Sequence, residues 1–424
     1  MSETLSYLIR FLLGDDIPAD GSSPVGYTGD SSLFHRYALV IIPSGFFDEG
    51  VYGTPASLPS LPLKEWEGVP FLFGEDREER IGNTLVIHAD LIASAYFLLT
   101  RYEEMVRRGV RDAHGRFPGK ESLPFRAGFI HRPVVDEYRL LLRRRLGLPE
   151  LKPGIRQVFL THDIDAPFLY RSWKGLLRSL LDKRGFIRSL RGKFGDREAD
   201  PYYTFPRIFA ENRRLQEKGT ARSIFFFKAG GRTPADKPHY DLRSKDMRRL
   251  IQAIREQGGE IGLHASYEAG INPLLIAKEK ACVEQHTGLT VSYNRHHFLS
   301  SREPEDMDYL VVAGLTDDFT LGYADVAGFR LGTSHPVRWI NPLTRRLTPL
   351  RLHALTVMDV TLEEKKYMGL TPEEASACCL RLIKEVEKAG GELTLLWHNT
   401  SLREDTGSYL SKLYPWLLNQ LITT

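Results

Sequence analysis

The chain has 424 residues, enough for two or three domains, and its 42% hydrophobic and 26% charged residues are typical of a soluble globular protein. Its 57 basic and 54 acidic residues leave a net charge of +3, which gives no overall attraction to nucleic acid. Three cysteines cannot build a disulfide framework and favour a reducing compartment.

The amino terminus, MSETLSYLIRFLLGDDIP, has the apolar spacing of a helix, interrupted by Arg10. It lacks the basic start, long apolar core and small-residue cleavage site of a secretory signal. No later segment approaches the roughly 18 uninterrupted apolar residues that span a bilayer. We therefore expect a cytoplasmic protein without a transmembrane segment.

Residues 1–150 predict a small α/β domain. Short strand-like runs, separated by Pro, Gly and Ser clusters, lie at 37–47, 69–74 and 84–90. Asp90 is a suitable N-cap for a helix that ends at Gly109, and a second helix is predicted at 134–147. A linker, LPELKPG, follows this domain, and the sequence does not indicate the domain's role.

Residues 155–424 alternate between strand and helix patterns. Candidate strands lie at 157–163, 223–228, 260–266, 290–298, 314–322, 328–333, 352–359 and 392–399. Candidate helices between them, at 244–259 and 372–391, both end in glycine. This alternation predicts a parallel sheet or a (β/α) barrel covered by helices.

Ionisable side chains gather at the carboxyl ends of the predicted strands. They are Asp163, Asp165, His264, Arg295, His296, His297, Asp317, Asp318, Arg330, Asp359 and His398. Any one of them could cap a helix or satisfy a structural contact. In a barrel, however, the carboxyl ends of the strands meet at one rim, so the set as a whole predicts a functional site.

The chemistry available at such a rim is hydrolytic. Asp165, His264 and a third N or O ligand would hold a divalent metal with one open position, where a bound water becomes reactive. Asp163 could act as general base, with Arg295 keeping it ionised through a bidentate contact. His398 could protonate a leaving group.

Four motifs, THDID, EIGLHAS, NRHHF and LLWHN, follow one another on successive predicted strands. Their order resembles that of the NodB-homology polysaccharide deacetylases, the family 4 carbohydrate esterases. A closer similarity is to a bacterial subgroup with an extra N-terminal domain. That similarity extends over runs near 100–117, 295–299, 317–336, 357–362 and 395–402, and covers roughly residues 85–415.

The resemblance implies a distorted (β/α) barrel of NodB type and metal-dependent removal of acetyl groups from N-acetylated sugars. It implies that Asp163 is the catalytic base, with Arg295 orienting it, and that His398 is the acid. It also implies that Asp165 and His264 are metal ligands, and that a backbone N–H near Phe298 or Leu299 stabilises the oxyanion. The expected ion is zinc, with cobalt and nickel as alternatives.

One position departs from the family pattern. Where the second histidine ligand is usual, the run HASYE has Glu268. Glu268 could itself ligate through oxygen, His297 could move in as the nitrogen ligand, or the site could have lost its metal. We favour His297, because no other reading explains the consecutive histidines at a strand end.

The resulting hypothesis is a hydrolase that removes N-acetyl or other acyl groups from a bacterial saccharide or sugar conjugate. The basic, amphipathic insert at 170–203 is either a solvated cover or a lid that attracts an anionic substrate. Two alternatives remain at this point: metal-free hydrolysis of a cyclic amide on the same fold, and a catalytically inactive saccharide-binding protein. The sequence does not indicate the oligomeric state.

Several polar residues have competing interpretations. His162 is expected to be a buried, hydrogen-bonded imidazole, because it alternates with Asp163 along the strand. Arg330 either binds substrate or pairs with a carboxylate such as Asp318. Asp359 either supports a site residue or caps a helix. The core is also the expected place of two tryptophans, Trp339 and Trp397.

Overall fold

A computed structural model describes residues 3–14, 23–171 and 186–423. Its α-helices are α1 Glu3–Leu13, α2 Leu91–Leu99, α3 Tyr102–Val106, α4 Leu123–Arg126, α5 Val134–Arg145, α6 Phe186–Phe194, α7 Phe205–Gln216, α8 Lys245–Glu256, α9 Leu275–Thr287, α10 Met307–Val312, α11 Asp359–Glu363, α12 Pro372–Ala389 and α13 Leu410–Thr423. Its strands are β1 Val25–Tyr27, β2 Leu39–Ile41, β3 Lys64–Trp66, β4 Val69–Phe71, β5 Gly74–Ile81, β6 Thr84–Ala89, β7 Gln157–Ile164, β8 Ala221–Phe227, β9 Glu260–Ala265, β10 Tyr293–His296, β11 Asp317–Asp318, β12 Val337–Asn341, β13 Arg346–Leu352, β14 Val357–Met358 and β15 Glu392–Leu396.

The N-terminal sheet has the strand order β1–β2–β6–β5, with β5 antiparallel to β6 and the other pairs parallel. As predicted, the Asp90 carboxylate caps α2, accepting a hydrogen bond from the Ala93 N–H at 2.9 Å. The predicted continuation to Gly109 is wrong, because the chain breaks at Arg101, whose φ is 58°. The break turns the Arg101 guanidinium inward, where it donates to Ser301 Oγ at 2.9 Å.

Among the described residues, the larger sheet has nine strands, and eight of them are parallel. In space they run β13–β11–β10–β9–β8–β7–β15–β14. Taken from β7 through β13 and then from β14 to β15, they follow chain order around a curled layer that is open between β13 and β14. The ninth strand, β12, pairs antiparallel with β13 at the edge. The mixed α/β class and the parallel sheet are therefore as expected, in a curled and opened form.

The central strands are buried on both faces, as parallel sheets covered by helices require. Phe225, Phe226 and Phe227 of β8 are all buried, although adjacent side chains point to opposite faces. The predicted helix at 244–259 is α8, capped by the Ser244 hydroxyl, which accepts from the Met247 N–H. The predicted helix at 372–391 is α12, which ends at Gly390 in a left-handed conformation.

Three sequence-based strand predictions need correction. Residues 328–333 form turns rather than a strand, and the strand predicted at 314–322 is reduced to β11. The strand predicted at 352–359 is interrupted at 353–356, which separates the end of β13 from the short β14, and Asp359 already begins α11. The antiparallel hairpin β12–β13 was not predicted. Its arginines and prolines hide the apolar alternation, and its turn depends on Arg345, whose φ of 57° has no local sequence signal.

A buried ion cluster joins the N-terminal part of the chain to the larger sheet. Glu104 is buried and accepts from Arg101 Nε at 3.0 Å and from Arg330 Nη2 at 2.8 Å. The predicted pairing of Arg330 with Asp318 is therefore wrong, because Arg330 turns away from the barrel rim towards α3. Asp318 instead accepts from the Asn294 amide at 2.7 Å. One hydrophobic core also runs through both parts.

Four other expectations concern the two tryptophans, membrane-spanning helices, the basic insert and the domain boundary. Trp339 and Trp397 are both fully buried, which confirms their place in the core. In the described ranges, no helix has both the length and the apolar character needed to cross a bilayer. Residues 172–185 of the basic insert predicted at 170–203 lie outside the described residues, so its expected role as a cover or lid stays a prediction. The division into domains at about residue 150 stays a prediction.

Candidate metal and hydrolytic site

Three strands bring a possible metal-binding cluster together at their carboxyl ends. Asp165 follows β7, His264 lies in β9, and His297 follows β10. One ligand atom from each lies within 4.8 Å of the others. The Asp165 Oδ1 atom is 3.3 Å from His264 Nε2 and 3.2 Å from His297 Nε2. These three residues are the ones that the sequence analysis placed around a metal.

The other ring nitrogen of each histidine is directed at a protein acceptor. His264 Nδ1 lies 2.9 Å from the Arg295 carbonyl oxygen, so Nδ1 donates and the lone pair is on Nε2. His297 Nδ1 lies 3.5 Å from Asp236 Oδ1, a carboxylate behind the ring. Such outer partners set the tautomer and orientation of metal-binding histidines. The hydrogen bond of His264 directs its Nε2 towards Asp165, whereas the Asp236 carboxylate is a charged neighbour of the His297 ring without a hydrogen bond to Nδ1 among the described residues.

The polar atoms at the centre of this cluster lack hydrogen bonds. Within the described part of the chain, Asp165 Oδ1 and His264 Nε2 are buried and have no hydrogen-bond partner. Buried polar atoms are rarely left unsatisfied, and a cation would satisfy both. Burial opposes ionisation of Asp165, but His297 and His264 outweigh it and hold its pKa well below the usual value. The donor set of one carboxylate and two imidazoles fits a divalent ion.

Glu268, the alternative third ligand, points elsewhere. Its carboxylate accepts from the Arg232 N–H at 2.7 Å, on the loop that follows β8. Its own N–H lies 3.3 Å from Asp236 Oδ2. The structure therefore brings His297, and not Glu268, to Asp165 and His264.

Asp163 and Arg295 form a buried ion pair beside this cluster. Arg295 Nη1 lies 3.2 Å from Asp163 Oδ1 and donates to Thr161 Oγ1 at 2.7 Å, while Nε donates to the Phe319 carbonyl at 3.0 Å. The other carboxylate oxygen, Asp163 Oδ2, lies 3.7 Å from His264 Nε2. Asp163 thus presents one oxygen to the Arg295 guanidinium and the other to the possible metal-binding cluster.

His398 lies beside Asp165 of the cluster, supported by Asp359. Asp359 Oδ1 lies 2.8 Å from His398 Nδ1, and Oδ2 accepts the His398 backbone N–H at 2.7 Å. Burial opposes protonation of His398, but the Asp359 charge outweighs it and raises the pKa of His398 to about 10. His398 Nε2 lies 3.7 Å from Asp165 Oδ2. The ring is thus a proton donor aimed at the site, and Asp359 has the supporting role.

Sequence reasoning missed Lys228 and Asp236. Lys228 follows β8, is buried, and places Nζ 3.7 Å from Asp165 Oδ1 and 3.2 Å from the Asp236 carbonyl oxygen. Its position at a strand end in SIFFFK was the available signal. Asp236 lies in the following loop and is buried, with Oδ2 accepting from Thr233 Oγ1 at 2.7 Å. No sequence feature distinguishes it.

A cavity of about 250 Å³ opens onto these residues. Its walls combine apolar and polar side chains from several loops: Arg116, Asp163, Asp165, His264, His297, Phe298, Leu299, Met358, Val360, Glu364, Lys366, Tyr367, His398 and Thr400. Arg116 comes from the N-terminal part of the chain. The cavity is at the small end of the range of ligand pockets.

Other predicted rim residues lie away from the cavity. Asp317 is at the amino ends of the strands, where its Oδ1 lies 2.9 Å from His353 Nε2. His296 points away from His297, as expected, with Nδ1 3.3 Å from Thr320 Oγ1. His162 is fully buried, with Nδ1 2.7 Å from the Trp397 carbonyl, which confirms its predicted place in the core.

Comparison with known proteins gives one family match and several structural neighbours. Residues 29–148 match a family of unknown function (DUF7033), and no curated protein matches the chain. A solved structure of a proposed polysaccharide deacetylase from Mycobacterium smegmatis has 16% identity and a TM-score of 0.40, covering 65% of this chain and 89% of its own. A mutant of a CE4 family pseudoenzyme, described as having restored enzymatic activity, has 13% identity and a TM-score of 0.32, covering 63% of each chain. The family match thus falls outside the strands that carry the candidate site.

Proposed function

We propose that the protein is a metal-dependent hydrolase that removes the N-acyl group, most simply acetyl, from a saccharide. The observation that carries the proposal is the cluster of Asp165, His264 and His297, whose ligand atoms lie within 4.8 Å of one another. Asp163, the proposed base, lies 3.7 Å from His264 Nε2, and His398, the proposed acid, lies 3.7 Å from Asp165 Oδ2. Such an arrangement suits hydrolysis of an amide, which needs one proton removed from water and another given to the amine.

Asp165, His264 and His297 would hold the ion through one oxygen and two Nε2 atoms. A divalent ion there would polarise the acyl carbonyl and lower the pKa of an attacking water. Zinc is our first choice, because it accepts mixed nitrogen and oxygen ligands at three protein positions; cobalt and nickel are the alternatives.

The proton transfers are assigned to side chains of the chain itself. Asp163 accepts the proton of the attacking water, and Arg295 Nη1, 3.2 Å from Asp163 Oδ1, holds that carboxylate in place. His398 donates a proton to the departing amine, and Asp359 holds its ring with Nε2 towards the cavity.

One observation favours a second candidate, hydrolysis without a metal. The Lys228 ammonium, 3.7 Å from Asp165 Oδ1, already provides a positive charge where an ion would bind. In that alternative Asp165 is part of an ion pair, and the substrate is a cyclic amide. The two candidates differ in one measurable respect: a chelator abolishes activity only in the first.

The test combines metal analysis with acetate release. Purified wild-type protein should contain close to one zinc, cobalt or nickel ion per chain, and it should release acetate from at least one of a panel of N-acetylated mono- and oligosaccharides. Asp163→Asn should keep the ion and lose about 10²- to 10⁴-fold in rate, the usual contribution of a general base. Asp165→Ala should lose both the ion and the activity.

The matched control is Asp241→Asn, which changes an exposed aspartate paired with the nearby Arg243. It should keep metal content and rate unchanged. A wild-type protein that binds no metal under any loading condition would exclude the proposed mechanism. Activity that survives complete chelation would instead favour the metal-free candidate.

A further inference from the structure

The turn after β10 contains two consecutive residues in an unfavourable backbone conformation. Phe298 has φ of 60° and Leu299 has φ of 53°, and neither is glycine. Left-handed residues crowd Cβ against the following carbonyl oxygen, so they persist only where surrounding contacts hold them. The turn starts at His297, and both residues line the cavity. Something in the structure must therefore hold this backbone in place.

The contact that holds it comes from the N-terminal part of the chain. Arg116 Nη1 donates to the Phe298 carbonyl oxygen at 2.8 Å, across a separation of 182 residues. The Phe298 ring also packs on His114, with ring centroids 4.9 Å apart. Arg116 is buried and has only 6% of its surface exposed, so water competes little for this hydrogen bond. The N-terminal part thus contacts the candidate site directly.

Arg116 is itself rigidly placed. Asp112 Oδ2 accepts from Arg116 Nε at 2.8 Å and lies 2.7 Å from Nη2, so the guanidinium is held at two points. Asp112 Oδ1 accepts the Arg116 N–H at 2.9 Å, and the Asp112 N–H donates to the Arg116 carbonyl at 2.8 Å. Gly115, with φ of 75°, closes this turn. The segment 112–116 is therefore a small preformed brace.

We propose that Arg116 is a positioning residue, which holds the 297–299 turn in the shape that the active site needs. The contact to the Phe298 carbonyl fixes the turn directly after the His297 ring and along the cavity wall. This assigns a role to the N-terminal part of the chain, whose function the sequence does not indicate. The catalytic consequence rests on the proposed function, whereas the structural consequence does not.

Hydrogen–deuterium exchange of the full-length protein tests the structural consequence. Arg116→Ala should speed exchange in peptides covering residues 297–301 by about 10- to 100-fold, the range expected for losing a hydrogen bond from a charged donor. The matched control is Arg111→Ala, which removes a neighbouring arginine paired with Glu303 and absent from the cavity wall. It should leave exchange at 297–301 unchanged. Equal exchange in Arg116→Ala and wild type would overturn the proposal.

Activity measurements test the catalytic consequence. On a substrate that wild type deacetylates, Arg116→Ala should lower kcat at least about 10-fold, while metal content stays at the wild-type level. Millimolar methylguanidinium should restore part of the lost rate, because it can refill the vacated space beside the cavity. If Arg116→Ala exchanges faster at 297–301 but keeps the wild-type kcat, Arg116 has no role in catalysis. If wild type hydrolyses nothing, the proposed function fails, and the exchange experiment still decides whether Arg116 holds the turn.

Discussion

Replacing Asp236 with asparagine should weaken metal binding at the candidate site without removing any ligand. Asp236 is buried 3.5 Å behind His297 Nδ1. Burial opposes its ionisation, but His297 and Thr233 outweigh it and lower the pKa of Asp236 to about 2. The carboxylate is therefore charged at neutral pH and makes the imidazole a stronger electron donor. Asparagine keeps the size and loses the charge.

The size of the effect follows from that separation. Two full charges 3.5 Å apart interact by about 5 kcal/mol at an effective dielectric constant of about 20. An imidazole bound to an ion carries only a fraction of the positive charge. We therefore expect the free energy of metal binding to weaken by about 1.4 to 2.8 kcal/mol, which corresponds to a dissociation constant about 10- to 100-fold higher.

The assay is a zinc competition titration against a chromophoric chelator, repeated with Co²⁺, whose visible spectrum reports ligand geometry. Asp241→Asn, an exposed aspartate of the same loop, is the control and should bind as wild type does. Thermal unfolding of the metal-free proteins should show that Asp236→Asn still folds. A folded Asp236→Asn protein with wild-type zinc affinity would refute the role assigned to Asp236.

Two further predictions concern stability. Glu104→Gln should destabilise the protein by about 3 to 5 kcal/mol in urea unfolding, because it leaves Arg101 and Arg330 buried without their shared carboxylate; a change below about 1 kcal/mol would contradict this. Burial raises the pKa of Glu279 to about 7, so its contribution to stability is complete below about pH 4.5 and is lost as the pH rises through 7. Between pH 4.5 and 8, the unfolding free energy of wild type should therefore fall by about 3 kcal/mol relative to that of Glu279→Gln. An unchanged difference between the two proteins would contradict the raised pKa of Glu279.

The parts of the fold that sequence reasoning predicted are those with strong local signals. The cap at Asp90 and the glycine that ends α12 combine a specific residue type with a clear periodicity. The break at Arg101 depends instead on a contact to Ser301, 200 residues away in the chain. The hairpin β12–β13 likewise depends on pairing at a sheet edge, which no local pattern of apolar residues reveals.

The candidate site shows the same division. Asp163, Asp165 and His398 lie in motifs at strand ends, so their convergence could be predicted from topology alone. The choice between Glu268 and His297 needed the direction of each side chain, which the sequence does not contain. Asp236 was missed because its importance lies in its burial behind His297, and it belongs to no motif.

The buried ammonium of Lys228 has a consequence for the order of events during maturation. Together with Arg295 and His398, it gives three acidic side chains at or beside the site a positive neighbour in the chain itself: Asp163 at 3.2 Å, Asp165 at 3.7 Å and Asp359 at 2.8 Å. Many small metal-binding domains stay unfolded until the ion neutralises their ligands. Here these three acidic side chains already have positive partners in the chain, so we expect the polypeptide to reach its native shape before it binds a metal ion.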